Sequence, residues 1–194
     1  DIQRSLPFST ILTVGYVGSK TSHLDNTVPN FNTPGPSPDT DVNRLLNDTL
    51  QLLEPQLRKS NVEIIKDYSE SLPAITSSAG KLQQVFTNLI LNARDAMFQG
   101  GTITLRTYAD GEDVVIVEVN DTGEGIPAEN LTKIFDPFFT TKGVGNGTGL
   151  GLAVTYGIVQ EHAGSIEAMS EPNDGTTFRL TFPAAHAARR RAVS

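Results

Sequence analysis

Cysteine is absent from the 194 residues, so neither a disulfide nor a thiolate metal site is available and a reducing compartment is permitted. An excess of positive charge is missing too. Fifteen basic residues against 22 acidic ones leave a net charge of −7, which argues against non-specific nucleic-acid binding. No apolar run approaches the length needed to span a bilayer, and no basic segment followed by an apolar core opens the chain. Membrane contact is therefore not expected of this fragment, which reads as cytoplasmic, alone or as the soluble part of a larger or membrane-attached protein. No Gly-x-x-x-x-Gly-Lys-Ser/Thr phosphate loop occurs, the glycines form no dinucleotide fingerprint in a strand-turn-helix unit, and no internal repeat is visible.

What is present describes a soluble globular chain with 38% hydrophobic and 19% charged residues, long enough for one good-sized domain and an extension. Residues 1–40 differ from the rest. Ser9 to Val17 alternates as a β-strand would, and Asn26 to Asp39 is rich in Pro, Asn and Gly, as a linker would be. Leu12 to Lys20 resembles a strand of outer-membrane TonB-dependent receptors, and the whole segment reads as an appendage extraneous to the chemistry.

From Asp41 the apolar residues Val42, Leu45, Leu46, Leu50 and Leu53 recur at helical spacing, with Asp41 or Asp39 as N-cap. Pro55 is expected to kink or end that helix. A strand follows around Val62 to Ile65, then a second helix capped by Ser77 or Ser78. Two strands come next, Thr102 to Tyr108 and Val114 to Val119, joined through the hairpin signal Asp110-Gly111. A third helix over about 149–162 is expected to stop at Gly164. Two last strands, near Ser165 to Ser170 and Thr176 to Phe182, are linked by Asn173-Asp-Gly175. This order predicts an α+β fold: a two-layer α/β sandwich, with a mixed sheet carrying helices on one face. The basic end, with Arg189-Arg-Arg191, reads as a disordered, solvated tail over 184–194.

The chemistry is expected around two glycine clusters. Asp121-Thr-Gly-Glu-Gly-Ile126 follows a strongly apolar strand, so Asp121 sits where a buried strand ends and its carboxylate can point into a pocket. Gly147-Thr-Gly-Leu-Gly-Leu152 opens a helical pattern, so its N–H groups lie at a helix N-terminus, which favours an anion such as a phosphate. Between them stands Phe135-Asp-Pro-Phe-Phe139, whose phenylalanines read as core and loop anchors rather than stacking platforms. On the second helix Asn88, Asn92 and Asp95 share one face at i, i+4 and i+7. They line either a polar cavity or an ordinary solvated surface.

Taken together, Asn88-Leu-Ile-Leu-Asn-Ala-Arg-Asp-Ala96 resembles the N box, Asp121 to Gly125 the first glycine box, Phe135 to Phe139 the F box and Gly147 to Leu152 the second glycine box of sensor histidine kinases. The order and spacing match over about residues 41–183. The chain is similar to the catalytic and ATP-binding domain of such kinases, with the Bergerat fold shared with gyrase B, Hsp90 and MutL. The Phe-Phe-Thr-Thr-Lys variant and short lid resemble the nitrogen-regulatory branch.

By that resemblance, Asp121 accepts a hydrogen bond from the adenine amino group, and Gly123, Gly125, Ile126 and Phe135 line the base. Asn92 supplies an oxygen to Mg²⁺, a hard cation that also takes phosphate oxygens. The N–H groups around Gly147, Thr148, Gly149, Leu150 and Gly151 hold the phosphates. Lys142 is either a phosphate-neutralising cation or a solvated lysine. Asp95 occupies a place where some relatives carry a phosphate-touching lysine, and Thr176 supports the adenine aspartate.

Position 88 bears on mechanism. Hydrolysing relatives have a glutamate there as general base, and Asn88 cannot take a proton near neutral pH. Transfer to a neutral imidazole needs no such base, since phosphoryl transfer rests on positioning and charge neutralisation. The implied function is transfer of the γ-phosphoryl of Mg-ATP to a histidine, with a response regulator downstream. No phosphoacceptor motif stands before the domain, and His23, His162 and His186 suit other roles. The acceptor histidine is therefore expected on a dimerisation domain outside this chain. A hydrolysing ATPase and a nucleotide-binding module without transfer activity are the alternatives.

Overall fold

A computed structural model describes residues 11–12, 39–142 and 148–187. The expected strand at the N-terminus falls mostly outside these residues, as do Gly147, His23 and Arg189 to Arg191.

The elements follow the chain as β1 (Ile11–Leu12), β2 (Asp39–Thr40), α1 (Val42–Lys59), β3 (Val62–Tyr68), β4 (Ile75–Thr76), α2 (Ala79–Asp95), β5 (Gly101–Asp110), β6 (Val114–Asp121), α3 (Ala128–Leu131), α4 (Gly151–Glu161), β7 (Ser165–Ser170) and β8 (Thr176–Pro183). One mixed sheet has the order β1-β7-β8-β6-β5-β3, in which only β3 and β5 run parallel. Their parallel pairing requires a crossover, and α2 supplies it. The central strands β6 and β8 alternate strictly. Val115, Val117 and Val119 of β6 and Phe178, Leu180 and Phe182 of β8 are buried on one face against α1, α2 and α4. The opposite face carries cross-strand polar pairs such as Arg179 Nε to Glu118 Oε1 at 2.8 Å and Arg106 Nε to Asp67 Oδ2 at 2.6 Å. This is the two-layer arrangement expected, with helices on a single face.

Several local expectations are refined. Asp41 caps α1 as foreseen, accepting from the N–H of Arg44 at 3.1 Å. Pro55 does not end that helix, which runs through it to Lys59. A proline removes only its own N–H, and the buried stripe from Val42 to Leu57 holds the flanking turns on the core. At the end of α4 it is Ala163, not Gly164, that adopts the left-handed conformation (φ 53°), while the N–H of Gly164 closes the helix onto Val159 O at 3.0 Å.

Among the described residues, packing extends beyond the expected 41–183 at both ends, to Asp39 and past Pro183. Asp39 and Thr40 pair with β4, and Ala184 bridges to Ile75 with Ala184, Ala185 and Ala187 buried. β1 adds two residues to the free edge of β7, so the N-terminal segment touches the sheet at that point.

Candidate functional site

Three adjacent strands finish their inward series on a polar side chain. In β6 the series Val115, Val117, Val119 ends at Asp121; in β7 Ile166 and Ala168 lead to Ser170; in β8 Thr176 precedes Phe178, Leu180 and Phe182. The ladder places Ser170 opposite Thr176 and Thr176 opposite Asp121. A buried polar row thus closes one end of an apolar core, and each member must find partners there.

Asp121 is only 3% exposed. Burial pushes its carboxyl up to about 6, although the backbone N–H groups of Gly123 and Thr176 donate to it and pull the other way. The Gly123 bond is 2.8 Å. The Thr176 hydroxyl turns elsewhere and lies 3.0 Å from Ser170 Oγ, so Thr176 supports the aspartate through its main chain. Ser170, not singled out from the sequence, is a hub: its hydroxyl donates to Gly175 O at 2.7 Å and accepts from the N–H of Ile126 at 2.8 Å. Its signal was the period-two pattern of β7, which puts it on Asp121's face.

The first glycine box folds back against protein. A Cβ on Gly123 would lie 2.8 Å from Ala96 O, and one on Gly125 2.0 Å from Glu171 O. Those glycines are therefore required by packing onto the end of α2 and onto the β7–β8 turn, whatever lies beside them. The main chain of Glu124 completes the stitching, its N–H reaching Ala96 O at 3.1 Å and its carbonyl accepting from Asn173 at 2.8 Å.

α2 serves as a common wall. Asn88 Nδ2 donates to Gly151 O at 3.1 Å and to Thr155 Oγ1 at 3.3 Å, tying α2 to the start of α4. Two turns on, Ala96 meets Gly123 and the Asp121 loop. The span from Asn88 to Ala96 is about 12 Å at the helical rise, and Asn92 lies midway along it. The Asn92 side chain is half-buried and makes no hydrogen bond with another described residue. Its amide oxygen is thus an available hard donor. Among the described residues no three His, Asp or Glu side chains gather as a cage, so a metal held by Asn92 would draw its other oxygens from a ligand or water.

Asp95, next on that face, accepts from Arg94 Nε at 2.8 Å and from Lys142 Nζ at 2.6 Å. Burial alone would raise its carboxyl, but the hydrogen bonds and charges of Lys142 and Arg94 hold it below the ordinary range.

α4 begins at Gly151 behind Leu150, with no side chain among the described residues capping its first N–H groups. Those groups form the anion-favouring end of an 11-residue helix. Thr148 Oγ1 accepts weakly from Leu150 N at 3.4 Å. Gly149 adopts φ 64°, and a Cβ there would sit 2.4 Å from the carbonyl carbon of Phe138. The two approach because the N–H of Phe138 donates to Gly149 O at 2.9 Å.

Phe135 is half-buried against Tyr156, ring centroids 5.6 Å apart, and Phe139 also packs on the core. Phe138 departs from the expected anchoring role: it is 75% exposed with φ 68°. The sequence-selected residues Asn88, Asn92, Asp95, Asp121, Gly123, Lys142 and Gly151 therefore assemble along α2, with Thr176 behind Asp121.

Residues 78–186 match the family model described as histidine kinase-, DNA gyrase B- and HSP90-like ATPase. Sensor kinase CckA of Brucella abortus (strain 2308) is 45% identical over 148 residues, covering 69% of this chain and 16% of that protein. Sensor histidine kinase ZraS of Escherichia coli (strain K12) is 41% identical over 143 residues, covering 74% of this chain and 30% of that protein. Among solved structures, the catalytic domain of histidine kinase ThkA is similar with a TM-score of 0.68 and 32% identity, over 76% of this chain and 95% of that one. ThkA in complex with response regulator protein TrrA gives a TM-score of 0.65 and 30% identity, over 76% of this chain and 42% of that one. The chain thus spans less than a third of the length of these two curated relatives.

Proposed function

Since the chain belongs to the family of histidine kinase-, DNA gyrase B- and HSP90-like ATPases, as an ATP-binding catalytic domain of the sensor histidine kinase type, we propose that it transfers the γ-phosphoryl group of Mg-ATP to a histidine on a separate phosphoacceptor domain. The observation that carries this reading is the buried Asp121 carboxylate at the end of an apolar strand face, on the same wall as Asn92 and the start of α4, which no side chain among the described residues caps.

In this reading Asp121 accepts the adenine amino N–H, and an N–H donor there offsets part of the cost of burying the charge. Ser170 and Thr176 keep that end of the sheet in place, while Ile126 and Phe135 border the base. The N–H groups at Thr148, Gly149, Leu150 and Gly151 face the phosphates, and Lys142 adds a positive charge. Asn92 would hold the magnesium ion, which when bound neutralises charge on the phosphate oxygens and fixes their orientation.

The bond from the γ-phosphorus to the bridging oxygen breaks, a bond from phosphorus to the imidazole nitrogen of the acceptor forms, and ADP leaves. The imidazole brings its own lone pair, so this chain supplies orientation and charge rather than a base. Asn88 suits that role: its amide N–H groups already bind Gly151 O and the Thr155 hydroxyl, and it accepts no proton near neutral pH. A glutamate there would favour activation of water. A response regulator is the natural recipient of the phosphoryl group.

Incubating the chain with labelled ATP, Mg²⁺ and the dimerisation domain of a related kinase tests the proposal. Label on the acceptor histidine is expected. Rapid release of free phosphate without an acceptor would favour a hydrolase, and nucleotide binding with neither outcome would favour a module without transfer activity.

A further inference from the structure

The carboxylate of Asp95 is saturated by cations on both sides. Its Oδ1 accepts from Arg94 Nε at 2.8 Å, and Arg94 is itself held by α1, its Nη1 donating to Gln56 Oε1 at 2.8 Å. Its Oδ2 accepts from Lys142 Nζ at 2.6 Å. Two consequences follow from simple charge counting. A carboxylate facing phosphates would repel them, so Asp95 is not itself a nucleotide ligand. The cluster of Arg94, Asp95 and Lys142 nonetheless carries one net positive charge, in a place where the side chains are only 22%, 30% and 36% exposed and are therefore incompletely screened.

Position adds the rest. Asp95 lies three residues beyond Asn92, hence on the same helix face about 5–6 Å away between Cβ atoms. Lys142 stands where the chain leaves the Phe135 to Phe139 segment, far from α2 in sequence, and this ion pair brings its ammonium to the face of α2 that Asn92 and Asp95 share. An ammonium has three donors, and Asp95 uses one, leaving two for another acceptor. A free lysine loses much of its rotamer freedom when it is fixed on a phosphate. One already tethered loses less.

We propose that Asp95 is a positioning residue for the phosphates: it contacts no nucleotide, and it presents Lys142 to the polyphosphate beside Asn92. The inference rests on the nucleotide-site reading above and makes Lys142 act through its tether on α2 rather than as an independent charge. Its signature is discrimination. Affinity for the triphosphate should depend on Asp95, whereas affinity for the bare nucleoside should not.

The test is calorimetric titration of ATP with Mg²⁺, and of adenosine alone, into the parent chain and into Asp95→Asn, Asp95→Glu, Lys142→Met and Asp95→Asn/Lys142→Met variants. Holding one long side chain in place corresponds to roughly threefold to tenfold in affinity. Asp95→Asn is expected to weaken ATP by that factor and leave adenosine unchanged. Asp95→Glu should recover part of the loss, and the double variant should be no weaker than Lys142→Met. Unchanged or tighter ATP binding by Asp95→Asn would overturn the inference, as would an equal loss for adenosine or losses that multiply in the double variant. If the parent itself fails to bind adenosine, the nucleotide site falls, and this inference with it.

Discussion

Replacing Asp121 with asparagine should separate what the carboxylate costs the fold from what it does for a ligand. In the free chain its pKa rises from 3.8 to about 6 because burial disfavours the charged form. A group with a raised acidic pKa stabilises the folded state most when it is protonated, below about pH 4. That contribution is lost as pH rises through 6, the window in which the folded carboxyl ionises in a buried place. Two pH units at roughly 1.4 kcal/mol each amount to about 3 kcal/mol between pH 4 and pH 7.

Denaturant unfolding of the nucleotide-free chain at half-unit pH steps should therefore show the parent losing about 3 kcal/mol across that window relative to Asp121→Asn. Comparing slopes removes any constant cost of the new amide group. Asp95 titrates in the other sense, with its carboxyl held low, so its contribution is lost only below the window. Parallel pH profiles for the two proteins would refute the assignment of Asp121 as a desolvated, ionisable anchor.

Ionisation is also what an adenine amino group needs from its acceptor, so the affinity of the parent for ATP should fall as pH drops below about 6, by up to tenfold per unit; a flat profile measured by calorimetry would contradict this. Asn92→Ala should leave stability within about 1 kcal/mol, since its amide makes no hydrogen bond among the described residues, yet remove the magnesium dependence of ATP binding. Ser170→Ala strands the N–H of Ile126 and the Thr176 hydroxyl and should cost about 1–3 kcal/mol in chemical unfolding. Gly149→Ala, with its Cβ forced to 2.4 Å from Phe138, should weaken ATP far more than adenosine, because the strain falls at the start of α4 rather than beside the base.

Much of this site was legible because its residues obey short-range periodicities. The i, i+4, i+7 spacing put Asn88, Asn92 and Asp95 on one face of α2, and the apolar run before Asp121 identified a strand end. The alternation of β6 and β8 gave the inward face of the sheet. What stayed hidden depended on partners distant in sequence. Ser170 looks like any strand-end serine until the β7–β8 register sets it against Thr176, and Lys142 reads equally as a phosphate-neutralising cation or a solvated lysine, with nothing in the sequence to show that Asp95 of α2 lies within 2.6 Å of it. Pro55 did not end α1 because local propensity was overruled by the buried leucines on either side, and Phe138 misled because the spacing of three phenylalanines does not reveal which one the turn at φ 68° throws outward.

The central claim is that a purine is held by the Asp121 carboxylate. Titrating adenosine into the parent chain and into Asp121→Asn at pH 7.5 tests it without phosphates, metal or acceptor. The account predicts saturable binding by the parent and none detectable in the variant. Equal affinity in the two proteins, or no binding by the parent, would contradict it.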